Sequence, residues 1–328
     1  MTALVEHPEH IRLAMVGMLA DNHHPFSWSA IINGRYDREL MAAYADPVIG
    51  RYLGAQRPGA LGIPGARVTH IWADRREHAD QVAAAAMIPN IVDQPEDVIG
   101  EVDAVLIPTD IGAEHLERCR PFIETGVPVF IDKPLTDNEE HLSVFEQWYL
   151  AGKPFMSCSA LRYSREFAEL RDKIDALGEL RLITVTMVKS WERYGIHALE
   201  GVYPFLRPGG WDDLIHTGDR ENHIIHLRHE DGVSVIVSVL PDIYGGMGHL
   251  CLYGTKGSAS GRFQDSFTAF KAQLSAFVSY LRTGIRPFDF EQTLELMRMV
   301  IAARKSLDEG GRRVELIEIS RPVASRRA

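Results

Sequence analysis

The sequence predicts an α/β protein. A Rossmann-type, doubly wound parallel sheet comes first, and an α+β domain with a largely antiparallel, open sheet follows. Three observations predict it. Short apolar runs at Arg12–Val16, Val68–Ala73, Val102–Ile107 and Val127–Ile131 alternate with helical stretches, as in a parallel sheet covered on both faces. Beyond Leu135, strand-like runs follow one another at Leu182–Lys189, His223–His229, Val233–Leu240 and His249–Tyr253, with Asp231-Gly232 as a hairpin signal. The length, 328 residues, suits two domains at about 150 residues each.

Each element has a local reason. The run Arg12–Val16 stops at Gly17. A polar loop, Met18–His24, leads into a helix over Pro25–Asn33, with Pro25 in its first turn. Val68–Ala73 ends at Asp74, and the alanine-rich stretch Glu77–Ala86 is helical. Thr109 or Asp110 can cap the helix Ala113–Thr125, which Gly126 stops. Asp132-Lys133-Pro134 closes the fourth strand. A helix over Glu139–Ala151 and a short strand over Pro154–Cys158 lead into the second half. Apolar residues at Leu294, Met297, Val300, Ile301 and Leu307 predict a helix over Glu291–Leu307, with a capping box of Asp289 and Gln292 and a stop at Gly310. The expected domains are 10–135 and 136–320, with Arg321–Ala328 as a frayed tail.

Composition narrows the function. A net charge of −10 argues against a nucleic-acid partner, which needs clustered Lys and Arg. No apolar run is long enough to span a bilayer. The polar start has no secretory pattern, and Cys119, Cys158 and Cys251 fit no disulfide framework, so a cytoplasmic protein is expected.

Ligands of open parallel sheets bind beyond the carboxyl ends of the strands. The first such loop, Gly17-Met18-Leu19-Ala20-Asp21-Asn22-His23-His24, keeps only the first glycine of the GxGxxG dinucleotide fingerprint. His23 and His24 could donate hydrogen bonds in place of glycine amides, or the loop could be an ordinary polar connection. Asp74, 57 residues after Gly17, stands where an acidic side chain accepts from the adenosine ribose, or caps the next helix. The usual spacing is about 20 residues, so Arg35–Arg67, rich in Gly and Pro, reads as an insertion. Arg75 and Arg76 leave room for a 2′-phosphate, so NAD and NADP both stay open, with NAD favoured by Asp74. Lys133 at a strand end can polarise or deprotonate a hydroxyl, and His197 suits proton exchange near neutral pH. Either could equally be structural. Asp212, Asp213, His216, Asp219, His223, His226 and His229 are crowded, but strand alternation sets His226 opposite the other two strand histidines, and no metal site is expected.

Together these landmarks resemble the Gfo/Idh/MocA family of nicotinamide-dependent oxidoreductases, the glucose–fructose oxidoreductase and inositol dehydrogenase relatives. Asp132-Lys133-Pro134 resembles the family's Glu-Lys-Pro motif, Gly195-Ile196-His197 its GxH segment and Gly254-Thr255-Lys256-Gly257 its GTKG turn, and His115 stands where a histidine opens a helix. The resemblance implies hydride exchange between nicotinamide and a hydroxyl or keto carbon of a sugar-like or cyclic polyol. It implies a cofactor site of Gly17, Leu19, His23, His24, Asp74, Arg75, Thr109, Asp110, His115, Asp132, Lys133 and Pro134. Lys133 and His197 would carry the chemistry, and a homo-oligomer, dimer or tetramer, is implied. Where relatives carry an aspartate four residues before the histidine, this chain has Arg193, which would oppose protonation of His197 or hold an anionic group of the substrate. Tyr194 and Glu200 are then further catalytic candidates. The same scaffold would also suit a non-catalytic sugar- or nucleotide-binding protein, or an NAD-recycling lyase or glycosidase.

Overall fold

The structure, a computed structural model, describes residues 2–243 and 247–319. The expected tail lies outside them. The first sheet contains β1 (Ile11–Val16), β2 (Ala66–Trp72), β3 (Asn90–Ile91), β4 (Ala104–Ile107), β5 (Val129–Ile131) and β6 (Phe155–Ser157). They pair in the order β3-β2-β1-β4-β5-β6, all parallel. The order reverses between β1 and β4, which opens a crevice at their carboxyl ends. Alternate residues serve opposite faces: Leu13 and Met15 enter one apolar cluster, Ala14 and Val16 the other.

Between the strands of this sheet run α1 (His24–Asn33), α2 (Arg38–Tyr44), α3 (Pro47–Gly54), α4 (Arg76–Ala86), α5 (Gly112–Thr125) and α6 (Glu139–Leu150). Helix α1 is buried from Pro25 to Ile32 and stops at Gly34, whose φ of 74° favours glycine. The supposed insertion holds two helices, α2 and α3. Asp37 caps the first through the amides of Glu39 and Leu40, and Asp46 the second through that of Val48. Both are short, and the following Gly-Pro segment masks their periodicity.

The second sheet contains β7 (Leu180–Val188), β8 (Trp211–His216), β9 (His223–His229), β10 (Ser234–Leu240), β11 (His249–Gly254), β12 (Ser258–Arg262) and β13 (Val314–Glu315), in the order β12-β11-β7-β10-β9-β8-β13. Only β7–β10 is a parallel pair; the other neighbours are antiparallel. Its helices are α7 (Arg165–Arg171), α8 (Ile196–Val202), α9 (Ser266–Thr283) and α10 (Phe290–Asp308). The fold is therefore the one the sequence predicts. The capping box is corrected: Asp289 makes no side-chain cap bond, and Gln292 accepts from Arg162 Nη1 at 2.8 Å. On β9, His223 and His229 are buried while His226 faces the other side. His216 Nε2 meets His223 Nδ1 at 2.9 Å, and no group of metal-ligating side chains forms among the described residues.

Candidate active site

The crevice between β1 and β4 gathers the loops 17–24, 108–112 and 132–134. Gly17 has φ 104°, and a Cβ there would come within 3.0 Å of Thr109 Cγ2, so glycine is required. Asn22 pins the loop by donating to Pro108 O at 3.0 Å and accepting from the His24 amide at 3.0 Å. Leu19 bridges back to Asn22. His23 is turned into the loop: Nδ1 accepts from the Asp46 amide at 2.9 Å, and Nε2 lies 3.1 Å from Ala20 O. Thr109 Oγ1 is buried beside this cradle without a partner among the described residues.

A charged cluster closes the crevice. Lys133 Nζ, only 2% exposed at its side chain, lies 3.4 Å from Asp110 and 3.7 Å from Asp132. His24 Nδ1 is 2.9 Å from Asp132, and its ring stacks on Trp28. Burial alone would lower the Lys133 pKa. Asp132 and Asp110 outweigh it, so the ammonium is held above its ordinary range and stays charged. Burial pushes Asp110 up, but Lys133 and Arg193 hold it well below the usual carboxylate range. Lys133 is thus a fixed donor in this state, not a base.

Trp191–Gly195 forms a single π-helical turn that feeds α8. A Cβ at Gly195 would lie 2.4 Å from the Trp191 ring, which explains the glycine of the GxH segment. The turn places Tyr194 against both lysines: the Lys133 ammonium lies 5.2 Å from its ring centre, and Lys189 Nζ donates to its hydroxyl at 2.6 Å. His197 is 5% exposed, with Nδ1 2.6 Å from Ser159 Oγ. Burial, then the charges of Lys133 and His24, depress its pKa well below the imidazole range, so it is neutral at pH 7.

Some candidates take other places. Arg193 does not set the state of His197; it forms two bonds to Asp110, at 3.1 and 2.8 Å, and reaches Asp21 at 2.5 Å. It ties the turn before α8 to both crevice loops. Glu200 faces inward: it accepts from the Ser159 amide at 3.1 Å and pairs with Arg162. Glu200 therefore supports Ser159, which holds His197. His115 is fully buried between the carbonyls of Thr109 (2.7 Å) and Pro134 (2.9 Å), fastening two loops without facing the crevice. Asp74 is bound by Arg118 at 2.8 and 3.2 Å, while Arg75 pairs outward with Glu77.

Beside His197 lies a cavity of about 400 Å³, walled by the crevice loops, by the chain around His197 and by Asp46, Ile49 and Tyr52 of the Arg35–Arg67 segment. Sequence reasoning missed Ser159, Arg118 and Lys189. Lys189 has φ 66°, unusual for a residue other than glycine. Nothing at the sequence level marks any of the three, because each owes its place to a distant partner.

Burial of neutral His197 also predicts a pH effect. The folded state resists a proton that the unfolded chain takes up near pH 6.5. Stability is then present above about pH 6.5 and is lost as pH falls toward the depressed folded value. Melting temperature should drop from pH 7.5 to 5 more steeply in wild type than in His197→Asn. Equal slopes would show that His197 is not held neutral.

Residues 48–148 match the oxidoreductase family with an NAD-binding Rossmann fold, GFO_IDH_MocA. That segment, about a third of the chain, is thus similar to the Gfo/Idh/MocA family. Inositol 2-dehydrogenase of Rhodococcus erythropolis is 31% identical over 118 residues, 35% of this chain and 34% of that protein. Inositol 2-dehydrogenase 3 of Saccharopolyspora erythraea is 36% identical over 115 residues, 34% of this chain and 32% of that one. The match thus spans about a third of these curated relatives. Two solved structures share this chain's fold along nearly its whole length. A probable dehydrogenase from Thermotoga maritima has TM-score 0.72 and 15% identity, covering 94% of this chain and 100% of that one. The scyllo-inositol dehydrogenase of Lactobacillus casei, solved with NAD(H) and scyllo-inositol, has TM-score 0.71 and 14% identity, covering 94% and 99%. At such identities the likeness shows the fold.

Proposed function

We propose that this protein is an NAD(P)-dependent dehydrogenase that oxidises a secondary hydroxyl of a cyclic polyol or sugar, or reduces the matching ketone. The observation that carries it is that charged Lys133 and neutral His197 are both buried at the β1–β4 crevice and both flank Tyr194, with the Lys133 ammonium 5.2 Å and the His197 ring 5.1 Å from its ring centre. The family match and the inositol dehydrogenase relatives support the same reading. The residues present fit a dinucleotide: Gly17 leaves a cradle that a Cβ would fill, and the orphaned Thr109 hydroxyl lies beside it. Gly17, Asn22, Thr109 and Asp74 would hold the cofactor, whose nicotinamide C4 supplies the hydride acceptor.

The chain's own residues then do three things. Lys133 donates a hydrogen bond to the reacting oxygen and stabilises negative charge developing there, because Asp110 and Asp132 keep it protonated. His197 takes the hydroxyl proton at Nε2, which has no protein partner among the described residues, while Ser159 fixes its ring through Nδ1. The cavity walls, with Leu161, Phe263 and Phe270, exclude water around them. NAD is favoured over NADP by the carboxylate of Asp74.

A panel of inositols, aldoses and sugar acids, each incubated with NAD and with NADP, tests the proposal. Reduced nicotinamide should appear with at least one compound, with the ketone as product by mass spectrometry. An eliminated or hydrolysed product without net reduced nicotinamide would instead indicate cofactor recycling. Absence of any turnover across the panel, in protein that binds NADH, would favour a binding role.

A further inference from the structure

The loop after β1 lacks two of the three fingerprint glycines, so fewer backbone amides can approach a pyrophosphate. Another donor stands in the same place. Arg118, one helical turn after His115 on α5, reaches back over the crevice. Its Nη1 would lie 3.4 Å from a Cβ at Gly17, so the guanidinium sits beside the Gly17 α-carbon. Its other groups are fixed. Nε donates to Glu114 at 3.0 Å, Nη2 to Asp74 at 2.8 Å, and Nη1 to Asp74 at 3.2 Å. Nη2 also lies 2.9 Å from Glu114. Nη1 carries two hydrogens and has one acceptor among the described residues, so one N–H is left over, on the nitrogen nearest Gly17.

A surface ion pair would not require this arrangement. The Arg118 side chain is only 18% exposed, so its order is set before any ligand arrives. The two carboxylates raise its pKa further against the opposing effect of burial. A guanidinium is planar and suits bidentate phosphate contacts. The protein's net charge of −10 will not draw a polyphosphate in, so directed local donors such as this free N–H have to hold it.

We propose that Arg118 is a cofactor-binding residue that donates to the pyrophosphate of a dinucleotide, replacing amides the degenerate glycine loop does not offer. The inference rests on the dehydrogenase reading, and it goes beyond it by giving the diphosphate a side-chain anchor on α5. Asp74 then has two partners to serve, Arg118 and the adenosine ribose, and it aligns the guanidinium while it accepts from the sugar.

Calorimetric titration tests this without turnover. Wild type, Arg118→Gln and Arg118→Lys are each titrated with NADH, NADPH, ADP-ribose and adenosine, with melting temperatures confirming that the variants fold. Arg118→Gln should weaken NADH and ADP-ribose about tenfold or more and leave adenosine within about twofold, because adenosine has no phosphate. Arg118→Lys should recover part of the loss, and raising the salt should weaken ADP-ribose in wild type more than in Arg118→Gln. Unchanged ADP-ribose affinity in Arg118→Gln would overturn the proposal. So would an equal loss for adenosine, which would mean that Arg118 acts through Asp74 alone. Wild type that binds neither NADH nor NADPH would remove the dehydrogenase reading itself, an outcome distinct from a variant that binds as wild type does.

Discussion

Replacing Lys133 by methionine is expected to lower turnover about 100- to 1,000-fold, the range for removing a preorganised donor to the oxygen on which charge develops. The protein should stay folded. Methionine fills most of the lysine's volume, and the two carboxylates left behind keep other partners: Asp110 has Arg193 at 2.8 Å, and Asp132 has His24 at 2.9 Å. NADH affinity should fall far less than turnover, since the ammonium acts on the reacting oxygen. Steady-state kinetics together with NADH titration of the variant separate the two effects. Turnover near the wild-type rate would remove Lys133 from the mechanism.

The second large effect is on stability. Arg162 and Glu200 form a buried pair, 9% and 1% exposed at their side chains. Arg162 also donates to Gln292, but Glu200 is its one carboxylate partner among the described residues. Glu200→Gln keeps the shape and an acceptor for the Ser159 amide while leaving the guanidinium without a counter-charge. Breaking such a pair from one side costs about 3–5 kcal/mol. Denaturant titration should therefore show a lower midpoint at unchanged slope. Because Glu200 holds the segment that orients His197 through Ser159, kcat should fall as well. A loss under about 1 kcal/mol would mean that the pair behaves as an exposed one.

These effects define what was legible in the chain. The parallel sheet could be read because β4 and β5 are buried throughout and β1 at every residue but Arg12, so they appear as short apolar runs, with the more mixed β2 between them in sequence. Lys133 and His197 could be read because each sits at a fixed offset from an element end. The role of Arg193 could not. The sequence shows a cation four residues before His197, but only the fold reveals Asp21 and Asp110 beside it, 172 and 83 residues away. Glu200 illustrates the same limit. Its spacing of three from His197 places the two on one short helix, yet the carboxylate turns toward Arg162, 38 residues away. His115 was legible as a position but not as a buried fastener between two carbonyls. The short helices α2 and α3 were hidden by the glycines and prolines that follow them, although Asp37 and Asp46-Pro47 are readable cap signals. That oversight concealed one wall of the cavity.

The central claim is that the β1–β4 crevice takes a nicotinamide dinucleotide despite its degenerate glycine loop. Fluorescence titration of the wild-type protein with NADH and NADPH tests it most directly. Saturable binding of at least one, with a Kd well below millimolar, is the expected result. No binding of either at millimolar concentration, by folded protein, would contradict the account.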